Sequence, residues 1–160
     1  MKILTLHVDY INFKPLRKEL KKIAELSEKE KQGQKVSESL VVLTAVEKGD
    51  PVKETVGELV KNIKDIAKHV KGRKIVLYPY AHLSSNLAAP EIAEKILKES
   101  EKKLKKGFKV VRAPFGYYKE FELKVKGHPL SELSREIRPS MAKSEEEKID
   151  VKTLLKSMGK

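Results

Sequence analysis

SLVVLTAVE, Ser39 to Glu47, and KIVLYPY, Lys74 to Tyr80, are apolar, β-branched runs that read as buried central strands. Between them, after the KGDP break, Val56, Leu59, Val60, Ile63, Ile66, Ala67 and Val70 recur at helical spacing. The spacing predicts a helix over Val52 to Val70, with Gly72 as its terminator. Two buried strands joined by an amphipathic helix confine the chain to an α/β fold.

The flanking segments extend that pattern. Lys2 to Val8 alternates as a strand, with Leu4, Leu6 and Val8 on one side, and His7 and Asp9 point together at its end. Leu16, Leu20, Ile23, Ala24 and Leu26 predict a helix from Pro15 to Lys31, stopped by Gly33. Pro90 opens a further helix that closes at Gly107. Phe108 to Ala113 and the alternating KEFELKVK after the PFG turn predict an antiparallel hairpin. Pro129 opens a last short helix, PLSELSREI. The order β-α-β-α-β-α-β-β-α predicts one domain over residues 1–138, a mixed β-sheet flanked by helices. Residues 139–160 read as a linker or C-terminal tail.

A length of 160 residues suits one domain. No apolar run approaches the roughly 18 residues of a spanning helix. MKILTLHVDY lacks the features of a signal peptide, so a cytoplasmic protein is expected. The absence of cysteine removes disulfides, thiolate nucleophiles and Cys-based metal sites. His7, His69, His82 and His128 show no metal-ligand spacing, so neither metal nor cofactor is expected. A formal net charge of +12 points to a polyanionic partner. Abundant Glu and Lys also fit a protein from a hot environment.

Seven of the nine aromatic residues fall between Tyr78 and Phe121, which serves a core or a pocket equally well. His82 follows a buried strand, where α/β sheets gather ligands. Lys119 follows an uncharged aromatic turn, where a partly desolvated cation would stabilise an oxyanion. Glu132 would complement a helix dipole or anchor an amine or hydroxyl. Neither a phosphate-binding glycine loop nor the Gly-x-Ser-x-Gly nucleophile elbow is present. These residues support a basic α/β domain with a polar pocket but name no reaction.

AHLSS, APFGYYK and GHPLSELSR, in this order, resemble the N-terminal editing domain of archaeal threonyl-tRNA synthetases, relatives of D-aminoacyl-tRNA deacylases. The likeness covers most of Met1 to Pro139, and Val8 departs from it where a small polar residue is expected. The resemblance implies hydrolytic removal of L-serine from threonine tRNA, with D-aminoacyl esters as an alternative substrate. It places Lys119 and His82 beside the scissile ester and Tyr118 and Glu132 in the pocket. Val46, Ala81, Phe115 and Gly116 would hold the adenine. It also implies a homodimer and a threonyl-tRNA synthetase catalytic domain or subunit as partner. A noncatalytic module that binds the tRNA acceptor stem is the competing reading.

Overall fold

In the computed structural model, which describes residues 1–138, strand β1 runs without interruption from Lys2 to Lys18. The remaining elements are the one-turn helix α1 (Glu28–Lys31), β2 (Gln34–Ala45), α2 (Val52–Val70), β3 (Lys74–Pro79), a 3₁₀ turn (Ala81–Leu83), α3 (Pro90–Leu104), β4 (Lys109–Arg112), β5 (Tyr117–Val125) and β6 (Glu132–Glu136). The strands form one mixed sheet in the order β4-β3-β2-β1-β5, with β6 also on β1. The pairs β2–β3 and β3–β4 are parallel, and all three partners of β1 are antiparallel to it. An α/β domain with a mixed sheet is therefore what the chain forms.

Helix α2 spans the residues its periodicity predicts, and it ends on Lys71 in the left-handed region at φ 56°. Its Val56, Leu59, Ile63 and Ile66 are buried against Leu40, Val42, Ile75 and Leu77 of the central strands. Each such side chain contributes roughly 1.5–3 kcal/mol of transfer free energy. Helix α3 opens with Pro90 and adds Ala93, Ile96 and Leu104 to the same core. Among the described residues, no helix is long and apolar enough to cross a membrane.

The opposite face of the sheet has a second core without a long helix: Leu6, Val8, Ile11, Phe13, Val36, Val41, Leu43, Val76, Tyr78 and Ala113. The sheet covers this core by curling on itself. Register shifts between Val8 and Tyr10 and between Pro15 and Arg17 mark irregularities in the β1–β5 ribbon, and such bulges bend a strand. The Phe13 ring then meets Tyr78 edge-on at 5.9 Å, and Phe121 meets the same tyrosine at 5.4 Å.

Three expected elements differ. The predicted helix from Pro15 to Lys31 is replaced by the end of β1, an irregular stretch and α1. Phe13 and Pro15 point inward on the ribbon, whereas Leu16, the first residue of the supposed apolar stripe, is 59% exposed. Helix α1 begins only at the Ser27–Glu30 capping box. The expected β4–β5 hairpin is also absent. Strand β4 closes one edge beside β3, while β5 pairs with β1 at the other, where Phe121 lies opposite Phe13. Finally, PLSELSREI contains β6, not a helix. Strand β5 leaves β1 at Val8, and β6 takes up the vacated edge from Leu6 to Lys2. The expected tail over 139–160 lies outside the described residues.

Gly33 adopts φ +82°, and a Cβ there would collide with the backbone oxygen of Phe13. Gly33→Ala is expected to destabilise the fold by at least about 2 kcal/mol. Gly57, exposed in α2 with nothing within 4 Å of an added Cβ, behaves oppositely. Gly57→Ala should stabilise by roughly 0.5–1 kcal/mol. Urea denaturation midpoints of the two variants check both signs.

Candidate functional site

The parallel strands β2 and β3 end side by side at Thr44–Val46 and Tyr78–Tyr80. Tyr80 N–H donates to Thr44 O at 2.8 Å, and Thr44 Oγ1 donates to Tyr78 O at 3.2 Å. The chain beyond β3 is tied back by Ala88 N–H to Val46 O at 2.9 Å and Lys48 N–H to Asn86 O at 3.0 Å. Ser84 Oγ adds a 2.6 Å bond to the buried Glu47 carboxylate. A cavity of about 550 Å³ remains above these strand ends, a size that suits a small ligand.

The curled ribbon supplies the facing wall. Gly116 turns at φ +81°, where an added Cβ would press on the Ile23 side chain. Its carbonyl accepts from Glu19 N at 2.8 Å and Leu20 N at 3.2 Å, so the turn is fixed to the segment after β1. This arrangement places Tyr117, Tyr118 and Lys119 on the cavity.

Lys119 is largely withdrawn from water. Its Nζ donates to Pro114 O at 2.8 Å and Tyr117 O at 3.0 Å and lies 5.1 Å from the centre of the Tyr78 ring. An ammonium has three donors, so one remains for the cavity. Burial lowers its pKa to about 8, opposed in part by the negative charge of Glu19. The same burial holds the Tyr78 hydroxyl far above its ordinary value. His82, exposed on the 3₁₀ turn, packs edge-on to Tyr80 at 5.2 Å.

Of the expected site residues, Lys119, His82, Tyr118, Val46, Ala81, Phe115 and Gly116 line this one cavity. Glu132 does not. It is exposed on β6, opposite Leu6, because the segment is a strand on the far part of β1. His7 and Asp9 are likewise engaged elsewhere. His128 Nδ1 accepts from Leu130 N, which leaves its Nε2 to donate to His7 Nδ1 at 2.8 Å, while Asp9 pairs with Lys126. These contacts tie β1 to the segment between β5 and β6, and burial followed by the neighbouring His128 lowers the His7 pKa. Among the described residues, no group of three His, Asp or Glu side chains is placed to hold a metal.

Glu19, Thr44, Tyr78 and Phe121 also line the cavity, and sequence reading did not single them out. Glu19 carried no signal at all, since its place depends on the bend of β1. Tyr78 was visible only as part of an aromatic-rich stretch.

A profile of the archaea-specific editing domain of threonyl-tRNA synthetase matches residues 1–137. A threonine–tRNA ligase of Thermococcus sibiricus is 51% identical over 150 residues, covering 92% of this chain and 24% of that protein. The ligase of Methanopyrus kandleri is 45% identical over 159 residues, covering 97% of this chain and 25% of that protein. The chain thus spans about a quarter of the length of these relatives. Among solved structures, a c-Myc DNA unwinding element binding protein is similar with a TM-score of 0.60 at 13% identity, covering 86% of this chain and 99% of that one. A probable eukaryotic D-amino acid tRNA deacylase gives 0.58 at 10% identity, covering 85% and 98%. At these identities the two structures show a shared fold.

Because the folded pKa of Lys119 lies below its unfolded value, the unfolded chain holds more protons between about pH 8 and 10.5. Stability from this group therefore rises with pH across that window. Relative to Lys119→Met, wild type should gain stability as pH increases from 8 to 10. Denaturation of both proteins at matched pH values measures the difference.

Proposed function

The chain belongs to the family of archaea-specific editing domains of threonyl-tRNA synthetase, and from that premise we propose that it hydrolyses L-serine from threonine tRNA. The need for such a step is physical. Serine lacks only the methyl of threonine, and one methyl changes binding by roughly 1–3 kcal/mol, too little for faithful selection. A second site must then destroy the wrong ester.

The observation that carries this reading is the Lys119 ammonium, held in an aromatic cavity with one donor free. In the proposed reaction, water adds to the ester carbonyl, and Lys119 Nζ stabilises the tetrahedral oxyanion. Collapse of that intermediate breaks the bond to the ribose oxygen, which leaves as a hydroxyl after taking a proton. Free serine and tRNA are the products. With a pKa of about 8, Lys119 is roughly ten parts charged to one neutral at pH 7, so it serves as a cation and not as the base. His82 orients the water or the substrate, the 2′-hydroxyl of the terminal adenosine assists proton movement, and Tyr118 bounds the amino acid. Val46, Ala81, Phe115 and Gly116 hold the adenine. Glu132 stands outside the cavity of its own chain, so a part for it at the ester requires a second copy. A homodimer supplies that copy, and a threonyl-tRNA synthetase catalytic part supplies the mischarged substrate.

The test compares loss of seryl and threonyl esters from threonine tRNA, with D-aminoacyl esters as a third arm. Wild type is expected to release serine and spare threonine, and Lys119→Ala to lose about 10²-fold in rate. The enzyme-dependent rate, corrected for buffer hydrolysis, should fall as pH rises through about 8; a rise would make Lys119 a base. Survival of all esters would leave a noncatalytic tRNA-binding module.

A further inference from the structure

A second cavity, of about 540 Å³, opens between the end of β1 and the segment reaching α1, and its lining includes Lys14, Arg17, Lys18 and Lys31. Tyr117 lines both cavities, so the two are adjacent. The strand register fixes the same proximity: Pro15, Arg17 and Lys18 pair with Lys119, Tyr118 and Tyr117. A row of cations therefore runs one strand away from the ammonium of the first cavity.

These charges are only partly neutralised, and Lys14 lies opposite Glu120 in the strand register. Glu25 is the one carboxylate in the lining, and it pairs with Lys18. Lys31 has an exposed partner in Glu28, and among the described residues Lys14 and Arg17 have no ion pair. Four cations around one groove repel each other, and a bound polyanion relieves that repulsion. Surfaces for bases lie at the groove and next to it. Leu16 in the lining is 59% exposed, and Tyr118, which borders the first cavity, is 46% exposed with the Arg17 guanidinium of the groove 5.1 Å from its ring centre. A basic groove beside an exposed aromatic ring is the pattern by which proteins hold single-stranded nucleic acid.

We propose that this groove binds the phosphodiester backbone of the single-stranded RNA leading to the terminal adenosine, with Lys14, Arg17 and Lys31 as the phosphate contacts. The inference rests on the reading of the first cavity as the site of the esterified adenosine. An ester seated beside Lys119 requires the preceding phosphates to leave the cavity nearby, and the cationic row lies on the strand adjacent to it.

The test uses a fluorescein-labelled RNA tetranucleotide ending in adenosine, uncharged with amino acid, and measures binding by anisotropy over a salt series. The double variant Lys14→Gln/Lys31→Gln should weaken binding about tenfold at low salt. It should also flatten the log–log salt slope by about 1.4, from two lost contacts at roughly 0.7 each. Lys64→Gln/Lys68→Gln, an equal charge change on the exposed face of α2, should bind within about twofold of wild type. In parallel, the groove variant should cleave seryl-adenosine at the wild-type rate and the seryl tetranucleotide about tenfold more slowly. Wild-type binding by the groove variant, or equal losses in both double variants, would overturn the proposal. If wild type cleaves neither ester while the tetranucleotide still depends on Lys14 and Lys31, the groove stands and the hydrolytic reading falls.

Discussion

The contact on which the site depends is the meeting of Phe13, Phe121 and Lys119 with one buried ring, Tyr78. Phe13 and Phe121 are opposite each other on the β1–β5 ribbon, whereas Tyr78 belongs to β3, two strands away across β2. They meet because the sheet curls, and the register shifts at Val8/Tyr10 and Pro15/Arg17 allow the ribbon to follow. Without that bend the second core would lie open to water and Lys119 would be one more surface lysine. One geometric constraint thus closes a hydrophobic core and builds a cavity.

The cavity illustrates how position, more than residue type, sets chemistry. Most of the described lysines are exposed and add only to the summed charge. Lys119 differs because burial makes its charge unfavourable while two backbone carbonyls hold its ammonium in one orientation. In a site of low polarity, a charge held in place does not have to reorganise when an oxyanion develops beside it. The cavity's one lining carboxylate, Glu19, comes from the same bent segment whose backbone fixes the Gly116 turn. The wall, the turn and the electrostatics therefore share a single structural origin.

Much of this could be read in the residues, where the controlling forces are local. Helix α2 and the central strands follow from periodicity and β-branched runs. The errors occur where a partner strand decides. Leu16, Leu20 and Ile23 have helical spacing, yet β5 pairs with β1 through Pro15 to Lys18 and leaves no helix there. PLSELSREI has the same ambiguity, resolved by the edge of β1 that β5 vacates at Val8. Short apolar spacings do not separate helix from strand, and only tertiary pairing does. Glu132 follows the same rule: its expected place at the start of a helix gives way to a strand position opposite Leu6, outside the cavity of its own chain. Glu19 shows the converse, a lining residue with no local signature.

The proposed function requires that the cavity beside Tyr78 receive the aminoacyl-adenosine with Lys119 against its carbonyl. The most direct measurement is NMR of protein carrying ¹⁵N-labelled lysine and histidine, titrated with the serine amide of 3′-amino-3′-deoxyadenosine, which resists hydrolysis. The account predicts saturable binding with its largest lysine side-chain shift at Nζ of Lys119, identified by its loss in Lys119→Met, together with shifts at His82. Saturable binding that leaves Lys119 and His82 unmoved would contradict it.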